Sequence, residues 1–250
     1  MAPRWRISTA ADPSPWAQAI ALTTLFCLPT WSSFAAEVPS DPAPLIIAAL
    51  QELDANDLDD NWYFTMSLAQ ENEHQIIRSD PMRNHYERRQ LLQVDGKAPD
   101  KGRLQAFRKE EIKRVDDIDP NTRGYGHLVD SSTLQFVAQR GELLEFFFKP
   151  RINTLQDAAD KMRGTLLFNN TTNAIEEIEV RNTQELSPAF SVTVDSYRLS
   201  FLFELEQGAR LLRKMESHAV GTVGFLKSFD QLVVVDFSDF RPADSTAAVP

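Results

Sequence analysis

Hydrophobic positions along the chain follow three different patterns. Residues 16–28 (WAQAIALTTLFCL) form an almost unbroken apolar run. Leu45, Ile46, Leu50 and Leu53 then fall at helical spacing, behind Asp41-Pro42 and ahead of the acidic stretch 54–60. Asp suits a helix cap and Pro the first helical position, so the pattern predicts a short amphipathic helix there. From Trp62 the period becomes two. Trp62, Phe64, Met66 and Leu68 alternate with Tyr63, Thr65, Ser67 and Ala69, as on a half-buried strand. Residues 75–78 and 86–94 are weaker strand candidates, divided by the turn signal Ser79-Asp80-Pro81, and Asp95-Gly96 closes the second. Residues 101–115 predict the best internal helix, with Leu104, Phe107, Ile112 and Val115 on one face. Residues 116–126 are rich in turn signals, including Asp119-Pro120 and Gly124-Tyr125-Gly126. The polar region 79–126 thus reads as an insertion or lid.

Beyond Ser131 the pattern is almost entirely strand. Segments 134–138 and 143–149 flank Arg140-Gly141, a hairpin signal. A short helix capped by Thr154 is expected over 154–162. Strands are expected over 165–168, 174–181, 190–194, 197–206, 210–216, 222–229 and 232–237. Turn residues separate them at Asn169-Asn170, Asp195-Ser196, Gln207-Gly208 and Asp230. The glycosylation-type pattern in Asn169-Asn170-Thr171-Thr172 reads better as this hairpin turn. The fold class is therefore mainly β with helices (α+β). About eleven antiparallel strands fit a closed or half-closed sheet.

Alternation sorts these strands into faces. Leu199, Phe201, Phe203 and Leu205 oppose Arg198, Ser200 and Glu204. Leu144, Phe146 and Phe148 oppose Leu143, Glu145 and Phe147. Val223, Phe225 and Phe229 share a face, as do Val233, Val235 and Phe237. An apolar sheet face of this kind must be covered. The helices expected over 45–53, 101–115 and 154–162 are the available covers. They either fill the space above the sheet or roof over it. The candidate ligand-lining residues are Trp62, Phe64, Met66, Phe146, Phe148, Phe201 and Phe203, and each is equally suited to a packed core.

The N-terminal 35 residues have the features of a cleavable secretory leader. Arg4 and Arg6 give a basic start, the apolar run falls short of the roughly 20 residues of a membrane span, and Ser33-Phe34-Ala35 places small residues before Ala36. Residues 1–35 are thus expected to be a signal peptide and the periplasm the destination. A retained membrane anchor is the alternative reading. Residues 36–250 are expected to form one domain, with 36–44 a proline-rich tether. The single cysteine, Cys27, lies in the leader behind Phe26, where a lipid-attachment motif needs a small residue. The exported chain then has no disulfide, thiolate metal site or cysteine nucleophile. With 26 Lys+Arg against 36 Asp+Glu the net charge is −10, and loss of the leader makes it one unit more negative. Such a surface repels nucleic acid and anionic bilayer surfaces, but sets no limit on an apolar ligand held inside.

Catalytic and metal patterns are missing from the sequence. His74, His85, His127 and His218 show no ligand spacing, and there is no nucleophile elbow, phosphate loop or dinucleotide fingerprint. The carboxylate pairs Glu110-Glu111, Asp116-Asp117 and Glu176-Glu177 are adjacent residues; on a strand, neighbours point to opposite faces. The expectation is a non-enzyme without metal or cofactor.

Several pieces of residues 161–240 resemble the LolA/LolB-like periplasmic lipoprotein-carrier superfamily. They are Gly164 opening a strand, Ile175-x-x-Ile178, Ser187-Pro188-Ala189-Phe190, the long Phe-rich strand, and the closing Val235-Asp236-Phe237-Ser238-Asp239-Phe240. The leader and Trp62-Tyr63-Phe64 match in order. Residues 92–99 (LQVDGKAP) followed by a charged helix are similar to an uncharacterised LolA-like branch. The resemblance implies a half-open antiparallel barrel with a helical lid, whose apolar interior receives acyl chains of lipids or lipoproteins, without catalysis or cofactor. The polar insertion 79–126 departs from the lipoprotein-delivery pattern. A lipid or acylated protein is the expected ligand. The alternative is an envelope protein-interaction or sensor module whose barrel is filled by its own side chains and whose partner is a protein.

Overall fold

The period-two segments become one antiparallel sheet of eleven strands in the computed structural model, which describes residues 42–117, 124–151, 160–189, 191–224 and 227–243. The strands are β1 (Trp62–Gln70), β2 (Glu73–Ser79), β3 (Arg89–Val94), β4 (Val129–Arg140), β5 (Leu143–Pro150) and β6 (Met162–Asn169). They continue with β7 (Ala174–Asn182), β8 (Leu186–Ala189), β9 (Val192–Glu206), β10 (Ala209–Val223) and β11 (Lys227–Pro242). Their order is β3-β2-β1-β11-β10-β9-β7-β6-β5-β4, with β8 also paired to β9. Strand β1 lies beside the last strand, with Met66 opposite Phe237. The two ends of this order, β3 and β4, are not paired to each other, so the sheet is not closed.

Among the described residues four helices accompany the sheet: α1 (Ala43–Ala55), α2 (Leu58–Asn61), α3 (Lys101–Asp116) and α4 (Tyr125–Leu128). Helix α1 contacts β4, β7, β10 and α4. Its Ile46, Ala49, Leu50 and Leu53 are buried in a core continuous with Phe146, Phe148 and Ile178 of the sheet. Each such side chain contributes roughly 1.5–3 kcal/mol by leaving water. Gly164 on β6 sits opposite Phe148 of β5. A Cβ there would lie 2.2 Å from the Phe148 ring, so only glycine lets the ring lie across the strand.

Several element boundaries differ from the pattern-based expectation. The separate strands 210–216 and 222–229 give way to a continuous β10, a turn at Gly224 and a continuous β11. Asp230 does not turn the chain. It belongs to β11 and meets His218 of β10, Nε2 to Oδ1 at 2.8 Å. Segment 86–88 belongs to the loop before β3. There Asp80 accepts from the Met82 N–H and Asn84 from the Tyr86 N–H, which holds the backbone in turns.

Helix α3 has the expected bounds within one residue, and Asp100 caps it by accepting from the Arg103 N–H at 2.8 Å. Its buried face agrees with the expected one at Phe107 but not at Leu104 and Ile112. Phe107 and Glu111 are buried, whereas Leu104 and Ile112 are exposed. The helix is held by ions flanking one aromatic: Arg103 pairs with Glu73 of β2 at 2.5 Å, and Arg114 with Asp59 of α2 at 3.6 Å. The signal peptide 1–35, the tether up to residue 41 and most of the helix expected over 154–162 lie outside the described residues. Met162, placed at that helix's end, instead begins β6. Among the described residues no helix is long and apolar enough to cross a membrane.

Candidate functional site

One side of the sheet, over five adjacent strands, faces a cavity of about 740 Å³. This lies within the roughly 300–1,000 Å³ of small-molecule sites. Strand alternation supplies its apolar wall: Phe64 and Met66 from β1, Ile77 from β2, Phe201 and Phe203 from β9, and Phe237 from β11. Leu212 and Met215 of β10 join them although they are three residues apart. A bulge between Leu212 and Lys214 shifts the register, so both fall on the cavity side. The other walls come from the end of α1, from α2, from α3 through Phe107, and from Tyr125 of α4.

Four of the seven residues singled out from the sequence line this cavity: Phe64, Met66, Phe201 and Phe203. The other three are buried elsewhere. Trp62, Phe146 and Phe148 belong to the packed core and do not line it. Phe146 instead meets the exposed Phe136 ring edge-on at 5.7 Å. All seven sit on apolar strand faces. What separates them is the placement of the helices over the sheet.

Tyr125 was not among the candidates. Its ring packs edge-on against Phe203 at 4.8 Å and Phe201 at 5.4 Å. Asp54, 71 residues earlier, holds it there: Oδ1 accepts from the Tyr125 N–H at 2.5 Å and Oδ2 from the Gly126 N–H at 3.1 Å. The flanking glycines make room for that carboxylate. A Cβ on Gly124 would lie 2.6 Å from Asp54 Oδ1, and one on Gly126 2.8 Å from Oδ2. Gly124 also has φ +102°, which disfavours any other residue. Gly124-Tyr125-Gly126 is legible in sequence only as a turn. Burial raises the Tyr125 phenol pKa well above its ordinary value, and the carboxylates of Asp57, Asp54 and Asp59 raise it further, so the ring stays neutral.

The acidic stretch after α1 is likewise a docking element. Asp57 caps α2 by accepting from the Asp59 N–H at 2.9 Å. Asp59 takes Arg89 Nη2 on both oxygens at 3.0 Å and lies 3.6 Å from Arg114, which also bonds Glu111 at 2.9 Å. Arg88 pairs with Asp60. Arg210, also in the lining, is buried with its guanidinium on the Glu176 carboxylate at 2.9 and 3.3 Å. This distinguishes the adjacent carboxylates: Glu176 is ion-paired with Arg210, whereas burial and then Glu179 push Glu177 upward in pKa. Ser67 and His74 meet at 2.8 Å on an exposed part of β1 and β2. The neighbouring Asp95 accepts the His74 main-chain N–H, so that bond does not orient the ring. Among the described residues no group of three His, Cys, Asp or Glu side chains has the arrangement of a metal site.

The lining is thus apolar on the sheet side and ionic at the helical side, and most of its charges are matched by the chain's own donors and acceptors. No protein-family model matches the chain, and neither does any curated protein or solved structure.

Proposed function

We propose that the chain is a carrier or binding protein for an apolar or acylated ligand in the cell envelope. The ligand would be a lipid or the acyl chains of a lipoprotein, and the location the periplasm. The observation that carries this reading is the cavity walled by Phe64, Met66, Phe201, Phe203 and Phe237 beneath a helix held mainly by ions. On this reading the open sheet acts as a half-open barrel and α3 as its lid. Each methylene transferred from water contributes about 0.8 kcal/mol, so a long chain is held without specific polar contacts.

The test is mass spectrometry of organic extracts of the protein purified from periplasm without detergent. A near-stoichiometric lipid or acylated peptide is expected. A reproducible blank from folded protein, with no uptake of added fatty acid, refutes the reading.

A second reading is an envelope interaction or sensor module with a protein partner. It is favoured by α1, whose four apolar side chains fill the space over part of the sheet. A stoichiometric protein partner recovered without lipid would select it.

A further inference from the structure

We propose that a second cavity against α3 binds the anionic head of an amphiphile whose acyl chain occupies the main cavity. This deepens the acyl-ligand reading and rests on it. The second cavity, of about 540 Å³, is enclosed by the loop before β3, β3 itself and α3. It shares Arg89, Phe107 and Glu111 with the main cavity, so the two spaces adjoin at those side chains.

Their charges are opposite. The main cavity is bordered by Asp54, Asp57, Asp59, Glu110 and Glu111 against Arg89, Arg114 and Arg210. The second has Arg83, Arg89, Lys101 and Arg108 against only Glu87 and Glu111. An anionic head is repelled from the first and attracted to the second.

The two cations available to a ligand are on one helix face. Lys101, Leu104 and Arg108 stand at i, i+3 and i+7 of α3. Arg83 is paired with Asp80 and Arg89 with Asp59, but Lys101 and Arg108 have no ion pair among the described residues. In a chain with net charge −10, two cations left facing a cavity have a use if the missing anion is the ligand's. Leu104, exposed between them, offers apolar contact to the chain next to the head. Arg89 adds a further sign. Its Nε is buried without an acceptor where the two cavities adjoin, a donor that a ligand oxygen satisfies. The overall negative charge does not oppose this, because cations within about 8 Å of a bound head outweigh charges beyond the screening length. The ligand class is an acyl chain bearing a phosphodiester or a carboxylate.

The test is calorimetric titration of the full chain with three monomeric probes of equal chain length: palmitate, palmitoyl lysophosphatidylglycerol and the uncharged monopalmitoylglycerol. At least one anionic probe is expected to bind about tenfold more tightly than the uncharged one, the factor a single charge-assisted hydrogen bond supplies. Preference for both anionic probes assigns the site to any acyl anion; preference for lysophosphatidylglycerol alone assigns it to a phosphodiester. In the K101E/R108E variant, folded by circular dichroism, the preference is expected to vanish while monopalmitoylglycerol binding is unchanged. Equal affinities in the natural chain, or a preference that survives in the variant, overturns the proposal and leaves the acyl-ligand reading intact. If none of the three probes binds, both fail together.

Discussion

Replacing Gly124 by alanine tests how the helical side of the cavity is assembled. Gly124 has φ +102° and ψ 162°, a region essentially reserved for glycine, so alanine there costs about 1–3 kcal/mol in backbone strain. The new Cβ would also sit 2.6 Å from Asp54 Oδ1, 2.7 Å from its Cγ and 2.9 Å from Oδ2. The carboxylate cannot keep its place, and the bonds from the Tyr125 and Gly126 N–H groups are lost with it. At this solvent-accessible position each is worth about 1 kcal/mol net. The expected total is about 3–5 kcal/mol, the strain plus the two bonds. Asp54→Ala alone removes the bonds without strain and costs about 2 kcal/mol. The double variant has no carboxylate left to displace, so G124A then costs only its strain. A double-mutant cycle by urea denaturation of the full chain should therefore show a coupling of about 2 kcal/mol, with unchanged m-values. Additivity within about 0.5 kcal/mol would refute the reasoning, because it would mean the glycine is not there to admit Asp54.

Three further outcomes are expected. Phe201→Asp should fold, by circular dichroism, yet take up acyl ligand poorly, because Phe201 is only partly buried and lines the cavity; loss of folding would place it in a closed core. Raising the salt to about 1 M should speed amide hydrogen exchange in α3 more than in β9 or β10, because the Arg103–Glu73 and Arg114–Asp59 pairs are screened while sheet bonds are not; equal change in both would contradict ionic docking. Tyr125 holds its proton to higher pH when folded than when unfolded, so the stability this confers is complete below the ordinary phenol pKa of 10.0 and is lost as pH rises above it. Tyr125→Phe should lessen the alkaline loss of stability measured by urea titration between pH 9 and 11; an unchanged slope would show that the phenol is not the group responsible.

The sheet was legible because alternation is local. Trp62 to Leu68, Leu144 to Phe148 and Leu199 to Phe203 each declare a face within a few residues. The sequence pattern divides the stretch of β10 and β11 because Asp230 looks like turn chemistry, and its contact with His218 across the strands exists only in the fold. The α3 face is legible only at Phe107, for a related reason. Counting apolar positions favours Leu104 and Ile112, whereas the helix is held by Arg103 and Arg114, whose partners lie on other elements. At the site, alternation found Phe64, Met66, Phe201 and Phe203 but did not separate them from Trp62, Phe146 and Phe148. That distinction depends on where the helices lie. Tyr125 was illegible because its position depends on Asp54, 71 residues away.

The central claim is that the cavity itself holds an acyl chain. The most direct measurement is photolabelling of the full chain with a palmitate analogue bearing a diazirine near its chain end, followed by peptide mapping. Adducts concentrated on Met66, Phe201 and Met215, and competed away by unlabelled palmitate, are the predicted result. Labelling concentrated on exposed apolar residues outside the cavity, such as Phe136 and Val137, would contradict it.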